Sequence, residues 1–308
     1  MNKPLLVLGS INADLYVEVD RLPQPGETIQ GGGCAVRPGG KGGNQAAAAA
    51  KLGYPTWFAG HLGNDDFAVP MRAAIRTAGA DDRLLTQVAA PTGQAFILLQ
   101  RGGENSIIVA AGANLVWNGL DAPIIDAIPK SGAVLLQRET PTDIVLAAAR
   151  AGRSAGIPVI LDAGGSNDTL DPRVLPFLSV FSPNEHELAH ITGLPTTNEV
   201  EVLRAARSLQ SQGVGTVLVK LGARGCLLVP RQGEPTHQAS FPVTVVDTTG
   251  AGDCFTAAYT VAMLESRAEV DRLRFACAAA AICVSRLGAM PSLPNRSEVD
   301  SFLAKHSS

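Results

Sequence analysis

Short apolar runs alternate with segments of helical pattern along most of this chain, and this alternation constrains the fold more than any other feature. It predicts the α/β class, with a mostly parallel central sheet and helices on both faces. The predicted strands are 5–9, 56–59, 134–136, 159–161, 179–181, 216–219 and 226–229. The predicted helices are 42–52, 65–77, 142–155, 185–191, 199–210, 252–264 and 270–286.

Two early segments, about 13–36 and 92–110, break the alternation. The second contains two strand-like runs around the sequence RGGE at 101–104, which indicates a hairpin. The first is interrupted by glycine and proline and is expected to be largely extended. We expect both segments to form a small accessory sheet, or lid. No linker or shift in composition divides the chain, so the lid is expected to be inserted into one domain that spans residues 1–308.

Composition and charge narrow the class of protein further. The chain has 308 residues, of which 46% are hydrophobic, so it can bury a full core. A net charge of −3 gives no support for nucleic-acid binding. The five cysteines are odd in number and lack a CxxC spacing, which favours reduced thiols over disulfides or a zinc site. No apolar leader or membrane-length run occurs, so we expect a cytoplasmic protein.

The sequence DTTGAGD at 247–253 leads directly into a predicted helix. The glycines of this turn allow the backbone N–H groups of Gly250, Ala251 and Gly252 to point at one place, where the helix N-terminus adds partial positive charge. Such a turn can stabilise a phosphoryl group in transfer. Asp253, at the helix start, is placed to accept a proton from an attacking hydroxyl. The alternative is an aspartate that only caps the helix.

A second glycine-rich sequence, GGKGGNQA at 39–46, precedes the first predicted helix. Its glycines let the backbone approach a ligand closely, and Lys41 and Asn44 offer hydrogen bonds suited to a polyol. The spacing is neither that of a Walker A loop nor that of a dinucleotide-binding G-x-G-x-x-G sequence. The alternative is a flexible loop in which Lys41 is solvated.

Polar residues also follow predicted strands. Asn12 and Asp14, in GSINAD at 9–14, come just after the first strand, where ligands bind in open α/β sheets; an Asx turn is the alternative. Asn184 and Glu187 lie one helical turn apart and could orient water around a nucleotide-bound Mg²⁺. They are equally compatible with an ordinary helix start.

Taken together, these motifs resemble those of the ribokinase-like (PfkB) family of carbohydrate kinases, and within it the members that act on D-ribose. The resemblance extends over essentially the whole chain. It is carried by GSINAD at 9–14, PGET at 25–28, GGKGGNQA at 39–46, AGAN at 111–114, QRE at 137–139, SPNE at 182–185, KLGARG at 220–225, VDTTGAGDCF at 246–255 and GAMPS at 288–292.

The resemblance implies a Rossmann-like three-layer α/β/α domain closed by a small β-sheet lid, and a homodimer in which two lids pack together. It implies ATP-dependent phosphorylation of D-ribose at the 5-hydroxyl, which gives ribose 5-phosphate and ADP. In that reaction Asp253 would be the base and the turn formed by Gly250, Ala251 and Gly252 the anion hole. Mg²⁺ would accompany ATP, and K⁺ would bind beside the anion hole.

The same resemblance implies the binding residues, position by position. Those implied to hold the sugar are Asn12, Ala13, Asp14, Gly40, Lys41, Gly42, Gly43, Asn44, Glu139 and Asp253. Those implied to hold the nucleotide are Asn184, Lys220, Leu221, Gly222, Ala223, Arg224, Gly225, Gly252, Asp253 and Cys277, although some members carry histidine or asparagine in place of Cys277. Those implied for K⁺ are Asp247, Thr249, Cys283, Arg286, Gly288 and Ser292, and Glu187 would hold Mg²⁺ through water.

Three other functions stay open at this level. One is another sugar or nucleoside kinase of the family, such as a fructokinase-like enzyme, although the chain has few aromatic residues to stack on a base. A second is a catalytically silent sugar-binding relative, against which the presence of Lys41 and Asp253 argues. A third is a dinucleotide-dependent oxidoreductase, which the missing G-x-G-x-x-G fingerprint makes a poor fit.

Overall fold

The computed structural model describes residues 3–100, 105–166 and 168–306 and has the predicted fold class, with a large, mostly parallel sheet and a small separate one. The thirteen strands within these residues are β1 Leu5–Leu8, β2 Asn12–Val19, β3 Cys34–Gly39, β4 Thr56–Leu62, β5 Asp81–Gln87, β6 Gly93–Gln100, β7 Asn105–Ala110, β8 Ala133–Leu136, β9 Val159–Asp162, β10 Val180–Ser182, β11 Thr216–Lys220, β12 Cys226–Val229 and β13 Thr236–Gln238. The nine α-helices there are α1 Lys41–Lys51, α2 Ala68–Thr77, α3 Ala122–Ala127, α4 Thr142–Ser154, α5 Glu185–Thr192, α6 Glu199–Ser211, α7 Ala251–Leu264, α8 Glu269–Val284 and α9 Arg296–Lys305.

The central sheet has the strand order β13-β12-β11-β10-β9-β8-β1-β4-β5. All neighbours pair in parallel except β11 with β12 and β12 with β13, so only one edge is antiparallel. The central strands are short apolar runs because both of their faces are covered. Alternate residues of β1 show this directly. Leu5 and Val7 pack into one hydrophobic cluster and Leu6 and Leu8 into the other, and all four are fully buried.

The two clusters are the two helical layers of the fold. One contains side chains of α1, α2, α7 and α8, and the other contains side chains of α3, α4 and α6. Alanine fills much of the interface between α1 and α7, which lets these helices approach closely and brings their first turns together beside the sheet. The residues at both helix starts therefore face the same edge of the sheet.

The lid sheet has the order β3-β2-β6-β7, with β2 parallel to β6 and the other pairs antiparallel. Its strands lie within or beside the two predicted lid segments, and residues 27–33 of the first segment are not part of a strand. The predicted turn at 101–104 lies outside the described residues. Both faces of the lid carry exposed apolar side chains: Val36, Phe96 and Ile108 on one face, and Ile107 and Val109 on the other.

Sequence patterning missed four of the strands and α-helices of the described chain, which are β5, β13, α3 and α9. Strand β5 begins with three charged residues, and helices α3 and α9 are short, with α3 carrying a proline in its first turn. Such segments have weak periodicity and are recognised only through what they pack against. Cys34 is exposed and the other four cysteines are buried as free thiols. Within the described residues, no helix has both the length and the apolarity needed to cross a membrane.

Candidate active site

Polar side chains converge at the carboxyl ends of the central strands. Ser10 follows β1 and Glu139 follows β8, and the Ser10 hydroxyl donates to Oε2 of Glu139 over 2.5 Å. Asp162 ends β9 and Lys220 ends β11, and Nζ of Lys220 lies 2.7 Å from Oδ2 of Asp162. Parallel strands of the central sheet therefore bring together residues that are far apart in sequence, at the edge where open α/β sheets bind ligands.

The GGKGGNQA sequence forms the start of α1, packed directly on β1. A Cβ on Gly42 would lie 2.6 Å from the backbone carbon of Gly9, so only glycine permits this approach. The N–H of Lys41 donates to Oε2 of Glu139 over 2.9 Å, and the N–H of Gly43 donates to the carbonyl of Ser10 over 2.8 Å. The first turn of α1 is thereby fixed against the end of the sheet.

The DTTGAGD sequence forms the start of α7. Gly250 has φ 78°, and a Cβ there would lie 3.0 Å from Cα of Ala289, so the turn requires glycine. The N–H of Ala251 already donates to the carbonyl of Thr248 over 3.2 Å. The N–H groups of Gly252 and Asp253 are in the first helical turn and have no partner within the helix. These two N–H groups are the better candidates for an anion hole.

Asp253 is buried and held on both oxygens. Nδ2 of Asn44 donates to Oδ2 and Nε2 of Gln45 donates to Oδ1, each over 3.0 Å. Burial raises the pKa of Asp253, and the positive charge of Lys41 opposes this. The charge of Asp253 is in turn the main cause that raises the pKa of Lys41. A buried carboxylate with an oriented plane and a raised pKa can act as a general base.

Asp14 and Asn12 are buried side chains of β2 that lie beside the residues just before α1. Burial raises the pKa of Asp14 to about 7, with further contributions from the negative charges of Glu139 and Asp253. Oδ1 of Asp14 and Oδ1 of Asn44 are buried without a hydrogen-bond partner among the described residues. Buried unpaired acceptors are costly, and the hydroxyl groups of a sugar would satisfy them.

Other predicted sugar residues have more limited roles. Oδ1 of Asn12 accepts a hydrogen bond from Nδ2 of Asn114 over 2.7 Å, so Asn114 fixes the orientation of Asn12. The side chain of Ala13 is fully buried in the core, and only its backbone could face a ligand. Gly40 has φ 82°, which lets the chain turn from β3 into α1.

The predicted nucleotide residues lie at the ends of β10 and β11. Asn184 and Glu187 form a capping box at the start of α5. Oδ1 of Asn184 accepts from the N–H of Glu187 and Oε2 of Glu187 accepts from the N–H of Asn184, both over 2.7 Å. These contacts are those of an ordinary helix start, which was the alternative interpretation of Asn184 and Glu187. One oxygen of Glu187 is occupied in the cap.

The KLGARG sequence forms a tight turn after β11, with residues Gly222–Arg224 in a short 3₁₀ helix. Leu221 is buried, and Arg224 forms an ion pair with Glu185. A Cβ on Gly225 would lie 1.9 Å from the carbonyl oxygen of Gln238, so this position also requires glycine. The backbone of the turn, with Ala223 at its exposed centre, is what it offers a nucleotide.

Lys220 and Cys277, which were also predicted to contact the nucleotide, have different surroundings. A Cβ on Gly252 would lie 3.7 Å from Nζ of Lys220, which places a positive charge beside the start of α7. The thiol of Cys277 is buried, with Sγ 3.7 Å from Sγ of Cys226. Its closest polar contact is thus another thiol in the core.

The residues predicted for a monovalent cation form one loop cluster. The two oxygens of Asp247 accept from the backbone N–H groups of Thr249, over 2.9 Å, and Gly288, over 2.8 Å. Cys283 and Ser292 are buried with Sγ and Oγ 3.0 Å apart, and the guanidinium of Arg286 pairs with Glu298. Within the described chain no group of three or more His, Cys, Asp or Glu side chains could hold a metal ion. Any cation here would depend largely on backbone carbonyls.

Comparison with known proteins agrees with this geometry. A model described as pfkB family carbohydrate kinase matches residues 2–296. The chain belongs to this family of carbohydrate kinases. It is 44% identical over 302 residues to a ribokinase from Arabidopsis thaliana, across 96% of this chain and 80% of that protein. A deoxyribokinase from Salmonella typhi is 30% identical, across 97% of this chain and 98% of that protein.

Solved structures of pfkB kinases show the same arrangement of the chain. The structure of Arabidopsis thaliana ribokinase complexed with ribose and ATP has a TM-score of 0.95 and 43% identity, and the match covers 98% of this chain and 99% of that chain. A ribokinase from Thermotoga maritima has a TM-score of 0.88 and 35% identity, with coverage of 98% and 99%. The predicted family is thereby confirmed.

Several polar residues of this pfkB kinase site were not assigned roles from the sequence. Ser10 lies within GSINAD and Asn114 within AGAN, two of the sequences that carry the family resemblance, so the sequence contained a signal for both. Asp162 had no such signal, because it ends an ordinary apolar strand. It is nevertheless fully enclosed, accepts from Nζ of Lys220 and from Oγ1 of Thr256 over 2.6 Å, and keeps a lowered pKa despite burial because Lys220 and Lys41 are close.

Proposed function

We propose that this chain transfers the γ-phosphate of ATP to the 5-hydroxyl of D-ribose. The observation that carries the proposal is Asp253, a buried carboxylate in the first turn of α7. It is hydrogen-bonded to Asn44 and close enough to Asp14 for its charge to raise the pKa of Asp14, and Oδ1 of Asp14 and Oδ1 of Asn44 have no partner among the described residues. A base and a helix N-terminus lie together beside acceptors that fit sugar hydroxyls. The similarity to the ribokinases supports the choice of substrate.

The sugar would be held by its hydroxyl groups. Asp14 would accept from two neighbouring hydroxyls, and Asn44 would accept from another. Nζ of Lys41 would donate to a sugar oxygen. Supporting contacts would come from the backbone and side chains of Asn12, Ala13, Gly40, Gly42, Gly43 and Glu139. Hydrogen bonds to a carboxylate are the stronger ones in such a set, so Asp14 is expected to contribute most to affinity.

Asp253 would accept the proton of the 5-hydroxyl as that oxygen attacks the γ-phosphorus in line. The N–H groups of Gly252 and Asp253, with those of Gly250 and Ala251 behind them, would stabilise the charge on the moving phosphoryl group. Lys220, whose ammonium lies beside this turn, would neutralise phosphate charge. Closure of the lid would exclude water that otherwise hydrolyses ATP.

The nucleotide would lie across the ends of β10 and β11. We propose contacts from the backbone of residues 221–225 and from Asn184, with the adenine near Cys277. Mg²⁺ would enter with ATP, and Glu187 would hold a metal-bound water through the oxygen that does not cap α5. Because Glu187 fits only this indirect role, Mg²⁺ would be held mainly by the phosphates.

We propose that a monovalent cation such as K⁺ would bind at the loop that contains Asp247, through this one carboxylate and backbone carbonyls. The residues that would hold it are Asp247, Thr249, Cys283, Arg286, Gly288 and Ser292. Its role would be to fix the shape of the glycine turn. The exposed apolar side chains on one face of the lid, Val36, Phe96 and Ile108, would be covered by the lid of a second copy in a homodimer.

Release of ADP from Mg·ATP, measured with D-ribose, deoxyribose, fructose and adenosine, with and without K⁺, tests these proposals. Turnover restricted to ribose and increased by K⁺ is the expected result. Turnover on another sugar would keep the kinase and discard the ribose assignment. The 30% identity to a deoxyribokinase makes deoxyribose the second candidate, and comparable kcat/KM for the two sugars would remove Asp14 from a role at the 2-hydroxyl.

A further inference from the structure

Two consecutive side chains of α1 hold the proposed base, and only one of them belongs to the proposed sugar pocket. Asn44 holds Oδ2 of Asp253 and has an acceptor left for the sugar. Gln45 holds Oδ1 through Nε2 over 3.0 Å and is fully buried. Gln45 has no exposed surface with which to touch a substrate, so its contact with Asp253 needs another explanation.

Gln45 is in turn held by a second buried amide. Nε2 of Gln137 donates to Oε1 of Gln45 over 2.6 Å, and Gln137 is 1% exposed. A Cβ on Gly9 would lie 1.9 Å from Oε1 of Gln137, so a glycine at the end of β1 makes room for this side chain. The residue pair thus connects the end of β8, through α1, to the start of α7.

The Gln45 amide lies between Nε2 of Gln137 and Oδ1 of Asp253, and Oε1 of Gln137 itself is buried without a hydrogen-bond partner among the described residues. An amide has a donor end and an acceptor end, and Gln137 donates to the acceptor end. The donor end of Gln45 is therefore directed at Asp253. If the amide were reversed, its oxygen would face a carboxylate oxygen and would repel it.

We propose that Gln45 and Gln137 are positioning residues that orient the carboxylate of Asp253 for proton abstraction. This inference rests on the proposed kinase function, in which Asp253 is the base. With Asn44 on one oxygen and Gln45 on the other, the carboxylate plane cannot rotate, and one lone pair stays directed at the sugar hydroxyl. General-base catalysis depends on that geometry, while ribose binding depends on other residues.

The first test is Gln45→Met, which keeps the volume and removes the amide. A hydrogen bond to a charged group is lost, so kcat should fall by about 10- to 100-fold. The KM and the Kd for ribose should stay within about twofold of wild type, because a positioning role affects the chemical step. A kcat within twofold of wild type would overturn the proposal, and so would a rise in Kd as large as the loss of kcat.

Gln210→Met is a matched control for loss of stability. Gln210 is also a buried glutamine, but it donates to the carbonyls of Gly215 and Val229 at the far side of the sheet. Both variants should lower the Tm. Only Gln45→Met should lower kcat, with both enzymes assayed well below their Tm. An equal loss of kcat in the two variants would show a merely structural effect.

Gln137→Met tests whether Gln137 acts on Asp253 through Gln45, a relay of two hydrogen bonds, because Gln137 contacts Gln45 and Gln45 contacts Asp253. The substitution removes the hydrogen bond to Oε1 of Gln45, so the amide is held less firmly against Asp253 and kcat should fall by a smaller factor than in Gln45→Met. In the double variant kcat should equal that of Gln45→Met alone, because Gln137 acts only through Gln45. Independent, multiplied losses would overturn the relay. Wild type without ribose turnover would instead refute the proposed function, so the two failures are distinguishable.

Discussion

The proposed sugar and nucleotide ends of the site differ in how completely their polar groups are paired. At the sugar end, Oδ1 of Asp14 and Oδ1 of Asn44 have no partner among the described residues. At the nucleotide end, Asn184 pairs with Glu187 and Lys220 pairs with Asp162. The buried acceptors of the sugar end therefore lack donors until a ligand binds, whereas these side chains of the nucleotide end already have partners within the protein.

This difference predicts different sensitivity to substitution. Unpaired buried acceptors cost free energy until a hydroxyl donates to them, so single side chains should control sugar affinity and selectivity. The nucleotide end presents mostly backbone and a helix start, for which side-chain identity matters less. Asp253 and the anion hole lie between the two ends and should control the rate alone.

The largest effect is expected where the two ends meet. Asp253→Ala removes the base, and kcat should fall by about 1,000-fold or more, because general-base catalysis contributes about 10²- to 10⁴-fold. The Kd for ribose, measured by calorimetry, should change by only a few-fold. Asp253→Asn, which keeps the shape, is the matched variant. Near-normal turnover in either one would refute the base assignment.

At the sugar end, Asp14→Asn should weaken ribose binding by about 10- to 100-fold, since hydrogen bonds to a charged acceptor contribute about 1.5–3 kcal/mol. Binding of Mg·ATP should be unchanged. Titration calorimetry with each ligand separates the two. If ribose and ATP affinities fell equally, the contrast between the ends would be wrong.

At the nucleotide end, Lys220→Met should raise the KM for ATP by about tenfold, because one charge beside the phosphates is lost. The Kd for ribose should stay at its wild-type value. The Tm should fall as well, because Lys41 is then the remaining positive charge of the two that lie close to the buried carboxylate of Asp162. Initial rates at varied ATP, with a melting curve, measure both. An unchanged KM for ATP would remove Lys220 from the phosphate site.

The smallest effect is a dependence of ribose affinity on pH. The pKa of Asp14 is about 7 in the free protein because of burial and the charges of Glu139 and Asp253. In the proposed complex, ribose hydroxyls donate to the ionised form of Asp14, so binding should lower this pKa and release a proton. Affinity should therefore rise by a few-fold from pH 6 to pH 8. Asp14→Asn, in which residue 14 cannot titrate, should abolish the rise.

The stability of the protein without ribose should depend on pH in the opposite direction, through the same carboxyl group of Asp14. The folded pKa of Asp14 lies above its usual value of 3.8, so protonation of Asp14 favours the folded state. The contribution is present below about pH 4 and is lost as pH rises to about 7. A comparison of Tm between wild type and Asp14→Asn across this range isolates the contribution of this one carboxyl.

Much of the fold could be predicted because its signals are local. Buried parallel strands such as β1 are apolar on both faces and are recognised as short apolar runs. Turns such as the one at Gly250 are recognised from the glycines in the sequence. Elements such as β5 and α9 were missed because charged or exposed residues weaken their periodicity. Their existence depends on packing against other parts of the chain.

The sequence by itself determined the fold class, the family and the positions of its two glycine-rich turns, because these depend on patterns within a few residues. Only the tertiary structure decided which side chains share a pocket. Asp162 meets Lys220, and Gln45 lies between Gln137 and Asp253, across separations of 58 to 208 residues. Hydrogen bonds and pKa values depend on distance and burial, and both are set only when the strands and helices pack together.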